Sequence, residues 1–291
     1  MLATRLWMGA ILIGLTVGGV GLDQWLAPWY PFLFVLVLLL TLMSCHELLQ
    51  LLGTTHRPSA GLCFAAVAGL VIANWLPTVG AELFPGLIGN QDPWLWVGGA
   101  FAVVVLAAFV VEMAAFQVPG ESVVRISLIV WIAAYLGLLP SFFVQLRWLP
   151  DWEMSSHNHR ATAALMMAIF VPKCGDIGAY FTGRLLGRHR MAPTLSPKKT
   201  WEGAAGGVTA SVLAAVGLDR LGPVVRGGWP SAALLGAALG ITGMVGDLAE
   251  SLIKRDCRQK DASQAVPGFG GVLDVVDSIV FAAPVAYWWI K

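Results

Sequence analysis

The 291-residue sequence is 57% hydrophobic and only 12% charged, with a mean hydropathy of +0.75, whereas an ordinary soluble domain carries about 25% charged residues. So few charges cannot cover the surface of a soluble globule this long, and the near balance of 18 basic and 17 acidic residues excludes a nucleic-acid binder or an acidic solvating protein. What remains is an all-α, polytopic integral membrane protein, whose helices satisfy their own backbone hydrogen bonds within lipid.

A crossing takes ~20 mostly apolar residues, and nine stretches qualify: 6–22, 29–49, 60–77, 94–114, 124–146, 161–183, 203–219, 231–250 and 278–290. The seventh and ninth are weak, which leaves eight crossings open. Arg5 ahead of the first run gives it the look of a signal peptide. No A-x-A site follows and further spans come after it, so an uncleaved first helix is expected. Cys45, Cys63, Cys174 and Cys257 form no C-x-x-C pair and read as buried free thiols. Spans one to five hold few polar residues, so 1–160 reads as scaffold and 161–291 as the catalytic region.

The basic residues are concentrated in two joints. Arg184, Arg188, Arg190, Lys198 and Lys199 lie in 184–202, and Lys254, Arg255, Arg258 and Lys260 in 251–277. Both joints fall on one side of the bilayer, and the excess of lysine and arginine makes that side cytoplasmic. With nine spans the N-terminus is then inside and the C-terminus outside. Twelve basic residues fall inside (these nine with Arg5, Arg57 and Arg125) and five outside (Arg147, Arg160, Arg220, Arg226 and Lys291), while Lys173 lies in a span.

Span six contains Pro172-Lys173-Cys174-Gly175-Asp176, then Gly178, Tyr180, Gly183 and Arg184. Ionisable groups at membrane depth mark functional sites, although Lys173 and Asp176 also read as a self-neutralising pair one turn apart. At least two of the three glycines read as close helix packing. Before span seven, Ser196-Pro197 reads as an N-cap with proline at the first helical position, which would place Lys198 and Lys199 in the first turn. Cations there oppose the helix dipole. A bound anion would reverse that sign; lysines snorkelling to lipid head groups are the alternative.

Span eight ends with Asp247, Glu250 and Lys254 on one face, either part of a site or a solvated helix end. The next joint holds Lys260-Asp261 and Pro267-Gly268-Phe269-Gly270-Gly271, followed by Asp274 and Asp277. The glycines allow positive φ and a close approach to phosphate. Asp274 and Asp277, three apart at a helix start, suit a hard cation such as Mg²⁺ or complement the dipole. Lysines, glycines and three aspartates beside a membrane form an inventory for phosphoryl or nucleotidyl transfer.

Ser251-Leu-Ile-Lys254-Arg255, Lys260-Asp261, Pro267-Gly268, Gly270-Gly271, Leu273-Asp274 and Asp277-Ser278 resemble the C-terminal signature of the phosphatidate cytidylyltransferases, the CDP-diacylglycerol synthases. Ser196 to Gly203 and Asp176-x-Gly-Ala-Tyr-x-x-Gly-Arg184 are similar to further motifs of that family. Two positions depart from its pattern: Phe269 stands where histidine is usual and Val275 where arginine is usual. The resemblance implies transfer of the cytidylyl group of CTP to phosphatidic acid, with Mg²⁺ as cofactor on Asp261, Asp274, Asp277 and Asp247. Asp261, Asp274, Asp277 and Lys260 would be catalytic. Ser196, Lys198, Lys199, Thr200, Lys254, Arg255, Gly270, Gly271, Asp176 and Arg184 would bind substrate. It also implies a multi-pass protein, of the inner membrane in a bacterium, with its site on the cytoplasmic side and, by analogy, a homodimer. The alternatives are transfer to another lipid phosphate such as an isoprenoid ether lipid, a transporter lined by Lys173, Asp176, Asp247 and Glu250, and a catalytically silent homologue.

Overall fold

The structure, a computed structural model, describes residues 2–53, 57–84, 92–117, 119–150, 159–259, 262–263, 265–266 and 270–291, with 2–6, 8 and 12 described by backbone alone. Among the described residues nine helical stretches are long and apolar enough to cross a membrane: Gly9–Leu26, Pro31–Leu51, Ala60–Leu83, Pro93–Ala115, Ser122–Trp148, His159–Leu186, Trp201–Leu221, Gly228–Asp256 and Val272–Ile290. The all-α, nine-span expectation therefore holds. Even the last helix, 19 residues long, reaches about 29 Å at 1.5 Å per residue.

The chain divides into two compact units, residues 1–144 with 262–273 and residues 145–261 with 274–291. The first contains helices α1 (Leu2–Asp23), α2 (Pro31–Leu51), α3 (Ala60–Leu83), α4 (Pro93–Ala115) and α5 (Ser122–Ala133). Their starts follow local rules. Pro31 and Pro93 stand at first helical positions, where no N–H is needed, and Asp23 accepts from the N–H groups of Phe32 and Leu33, both at 3.0 Å. Leu48, Val67, Leu70 and Ile129 are fully buried between the helices. A π-helical stretch, Ala134–Leu138, leads from α5 into α6 (Leu139–Gln145) and packs Gly137 on Leu70.

The second unit holds α7 (His159–Leu186), strands β1 (Arg190–Ala192) and β2 (Ser196–Thr200), α8 (Trp201–Leu221), α9 (Gly228–Asp256) and, from Asp274 onward, α10 (Val272–Ile290). Backbone meets backbone along α7, α8 and α9. A Cβ at Gly207 would lie 2.9 Å from the Gly175 carbonyl oxygen, one at Gly178 2.9 Å from that of Gly206, and one at Gly236 2.8 Å from that of Ser211. Lipid tails are as apolar as leucine, so such close approach is how helices hold together in a bilayer, and the packing reading of Gly175 and Gly178 stands. All four cysteines are free, Cys45 and Cys63 buried and the other two partly exposed.

Candidate active site

The reading of Ser196-Pro197 as a helix start is corrected by the structure. Residues 196–200 form β2, antiparallel to β1 with Ala192 opposite Ser196 and Arg190 opposite Thr200. The helix begins at Trp201, and its cap is Thr200, whose Oγ1 accepts from the Gly203 N–H at 3.1 Å. Glu202 then accepts from the N–H groups of Arg188 and His189 at 3.0 and 3.2 Å and fastens the approach to the hairpin. Lys198 and Lys199 therefore stand on a strand just outside the helix. Arg255 reaches the hairpin turn, its Nε donating to the Leu195 carbonyl at 3.3 Å.

A close contact at Gly246, where a Cβ would lie 2.5 Å from the Asp277 carbonyl oxygen, brings α9 against α10. Acids and lysines then interleave. Lys199 Nζ lies 2.7 Å from Asp247 Oδ2. Lys254 Nζ lies 2.6 Å from Glu250 Oε2 and 2.5 Å from Asp274 Oδ1. Lys173 Nζ sits 3.4 Å from both Asp176 Oδ2 and Asp277 Oδ1, and Ser278 Oγ donates to Asp176 at 3.2 Å. Carboxylate oxygens of Asp247, Glu250 and Asp277 all lie within 4.8 Å of one another.

Glu250 is 1% exposed, and its Oε1 is buried with no hydrogen-bond partner. Leaving a buried carboxylate oxygen bare is costly, and a cation of hard character is the natural complement. The formal charges agree: five carboxylates (Asp176, Asp247, Glu250, Asp274, Asp277) face three ammoniums (Lys173, Lys199, Lys254), an excess of two negative charges. Beside them opens a cavity of about 490 Å³, lined among others by Asp176, Tyr180, Arg184, Lys198, Lys199 and Asp247. Arg184 donates to the Tyr180 hydroxyl at 2.9 Å on its wall.

Of the residues singled out from sequence, Asp176, Lys199, Asp247, Lys254, Asp274 and Asp277 meet in this network, with Arg184, Lys198 and Thr200 on the cavity. Ser196 and Arg255 serve the hairpin. Gly270 and Gly271 belong to the other unit; Gly270, at φ +107°, bridges to Val266. Lys260 and Asp261 lie outside the described residues, as does Phe269. Two members of the network have no role in the transfer site that the resemblance implies: Glu250 is legible only in a charged stripe and Lys173 only as a membrane-depth charge that could pair with Asp176, both also as lining of a transporter path. Each lies beside Asp277, more than twenty residues away in the chain, and no local spacing shows that proximity.

Residues 3–291 match the profile of the cytidylyltransferase family. Over 181 residues the chain is 39% identical to the phosphatidate cytidylyltransferase of Synechocystis sp., covering 54% of this chain and 59% of that protein. It is 48% identical over 114 residues to the Brucella suis enzyme of the same name, 38% of this chain and 41% of the relative. With the Mycobacterium tuberculosis one it is 36% identical over 174 residues, 58% and 48% of the two chains. The chain thus spans about half the length of the curated relatives it matches, and its acid–lysine network falls within a sequence match that runs almost from end to end: it belongs to the cytidylyltransferase family.

Proposed function

We propose that this chain transfers the cytidylyl group of CTP to phosphatidic acid, releasing pyrophosphate and forming CDP-diacylglycerol. The observation that carries this reading is the interleaving of lysines and carboxylates beside the cavity. A triphosphate needs cations and its metal needs anions, and one cluster drawn from α7, β2, α9 and α10 supplies both. The names of the relatives support the choice of substrates.

The attacking group needs no general base. A phosphate monoester is an oxyanion near neutral pH, its second pKa being ~6 by analogy with phosphorylated side chains. The lipid phosphate oxygen forms a bond to the α-phosphorus as the bond from that phosphorus to the β-phosphate oxygen breaks, and pyrophosphate leaves with the electron pair. The residues present fit Mg²⁺: Asp247, Glu250 and Asp277 would hold it, with the bare Glu250 Oε1 as the oxygen that lacks any other use. When bound, the ion neutralises charge that builds on the transferring phosphoryl group. Lys198, Lys199 and Arg184 line the cavity wall and neutralise the triphosphate or the lipid head group. Lys254, held by Glu250 and Asp274, keeps those carboxylates from repelling one another.

The cytoplasmic side is proposed from the twelve-to-five distribution of basic residues, in an inner membrane if the cell is bacterial. The contact of Arg255 with Leu195, which puts both basic joints at one end of the unit, supports it. The test is purified protein with labelled CTP, phosphatidic acid and Mg²⁺. Label should enter the lipid phase with one pyrophosphate per transfer. Absence of lipid label refutes the reaction, and preferential labelling of an added isoprenoid ether lipid phosphate refutes the acceptor.

A further inference from the structure

Glu47 sits in α2, in a stretch that its apolar neighbours mark as scaffold, and is 4% exposed. An acid buried at membrane depth is expensive unless its oxygens are used. Both are, and by a segment more than two hundred residues later. Oε1 accepts from Ser263 Oγ at 2.6 Å and from the Val272 N–H at 2.9 Å, and Oε2 accepts from the Leu273 N–H at 2.8 Å.

Val272 and Leu273 open α10, and the first N–H groups of a helix have no partner within it. A local side chain normally supplies one, but the residue at the cap position is Gly271, which has none. The glycine is matched to the acid that replaces it: a Cβ there would lie 2.6 Å from Glu47 Oε2. A carboxylate in this place also complements the positive end of the helix dipole. The next residue in the turn is Asp274, and Asp277 follows within the same helix.

We propose that Glu47 is a positioning residue for cytidylyl transfer, a cap lent by α2 that fixes where α10 begins and so where Asp274 and Asp277 stand. The inference rests on the function proposed above for those aspartates. Glutamine is the sharpest probe, because its amide NH₂ confronts a backbone N–H where an oxygen is needed.

The experiment compares wild type, Glu47→Gln and Glu47→Asp with Glu112→Gln, which removes an equally buried carboxylate of the same unit from its 3.0 Å pair with Arg125. Hydrogen exchange across 270–276, kcat, KM for CTP, the half-saturating Mg²⁺ concentration and Tm are measured in lipid nanodiscs. In Glu47→Gln the Val272 and Leu273 amides should exchange about tenfold faster or more, as loss of charge-assisted hydrogen bonds demands. kcat should fall by about tenfold or more and half-saturating Mg²⁺ should rise, with KM for CTP nearly unchanged. Glu47→Asp, which keeps the charge but falls one methylene short, should lie between. Glu112→Gln should lower Tm while leaving these kinetics alone. Unchanged exchange in Glu47→Gln overturns the proposal, and so does faster exchange with wild-type kcat and Mg²⁺ dependence. If the wild type transfers no label, the reaction proposed above fails instead, and the rise of Tm with Mg²⁺ decides: the proposal stands if Glu47→Gln shrinks that rise and falls if the rise is equal.

Discussion

Glu250→Gln sets stability against function. The carboxylate has one oxygen on Lys254 at 2.6 Å and one buried without a partner. The amide keeps an acceptor for Lys254, which also retains Asp274 at 2.5 Å. Folding therefore loses only the difference between a charged and a neutral hydrogen bond, about 1 kcal/mol. It gains relief from burying a bare charged oxygen, a penalty of ~1–3 kcal/mol in mutational data, and the formal excess of charge falls from two to one. Tm without Mg²⁺ should hold or rise. Catalysis goes the other way. Losing one carboxylate from the cation site removes a share of several kcal/mol of transition-state stabilisation, and ~3–5 kcal/mol corresponds to a ~10²–10⁴-fold fall in kcat. The assay is label transfer across a Mg²⁺ titration, paired with thermal unfolding at each concentration. Wild-type Tm should climb with Mg²⁺ by linkage, and the variant's should climb less. Activity within about tenfold of wild type at the same Mg²⁺ optimum, or a Mg²⁺-induced rise in Tm equal to wild type, refutes the reasoning.

Other expectations follow from the same network. Asp277→Asn and Asp274→Asn should each abolish nearly all CTP-dependent product with only a modest loss of Tm, since the asparagine oxygen can still accept from Lys173 or Lys254 and forfeits about 1 kcal/mol, the difference between a charged and a neutral hydrogen bond; substantial activity at limiting Mg²⁺ in either variant removes that residue from the mechanism. Replacing Lys198 and Lys199 together by glutamine should weaken CTP or lipid binding by ~1.5–3 kcal/mol per lost charged hydrogen bond, read as a higher KM in a folded protein, whereas unchanged kinetics would leave them as lipid anchors. Cysteines placed at Arg190 and Gln259 should resist impermeant maleimide from outside intact cells and react once the membrane is opened; labelling from outside inverts the topology.

The number of crossings was legible because membrane thickness converts directly into a length of apolar sequence, and even Trp201–Leu221 and Val272–Ile290, thinned by glycine and aspartate, kept that length. The helix start at 201 was not. Ser-Pro is a genuine start signal, but the pairing of Ala192 with Ser196 takes the backbone that the signal would have used, and Thr200 inherits the cap. Asp176, Asp247 and Asp277 were visible as chemically suited residues, but which acid meets which lysine depends on the approach of α9 to α10 at Gly246, and no local pattern encodes that. Glu47 was the least legible. A single acid in an apolar block carries no spacing, and its partners are backbone N–H groups, which every residue but proline has.

The glycine contacts between α7, α8 and α9 act as a vernier. Side chains that interdigitate can slip and re-seat, but a carbonyl resting where a Cβ would be fixes two helices along their axes as well as apart. Slide α8 by one turn against α7, so that Ala210 and Ser211 come to where Gly206 and Gly207 now lie, and there is no room to receive them. The spacing of Lys199 from Asp247, a 2.7 Å matter, is thus set in part by uncharged glycines about two turns along α8. A methyl group added at one of them would leave every charged residue in place in the sequence and still put the two out of reach.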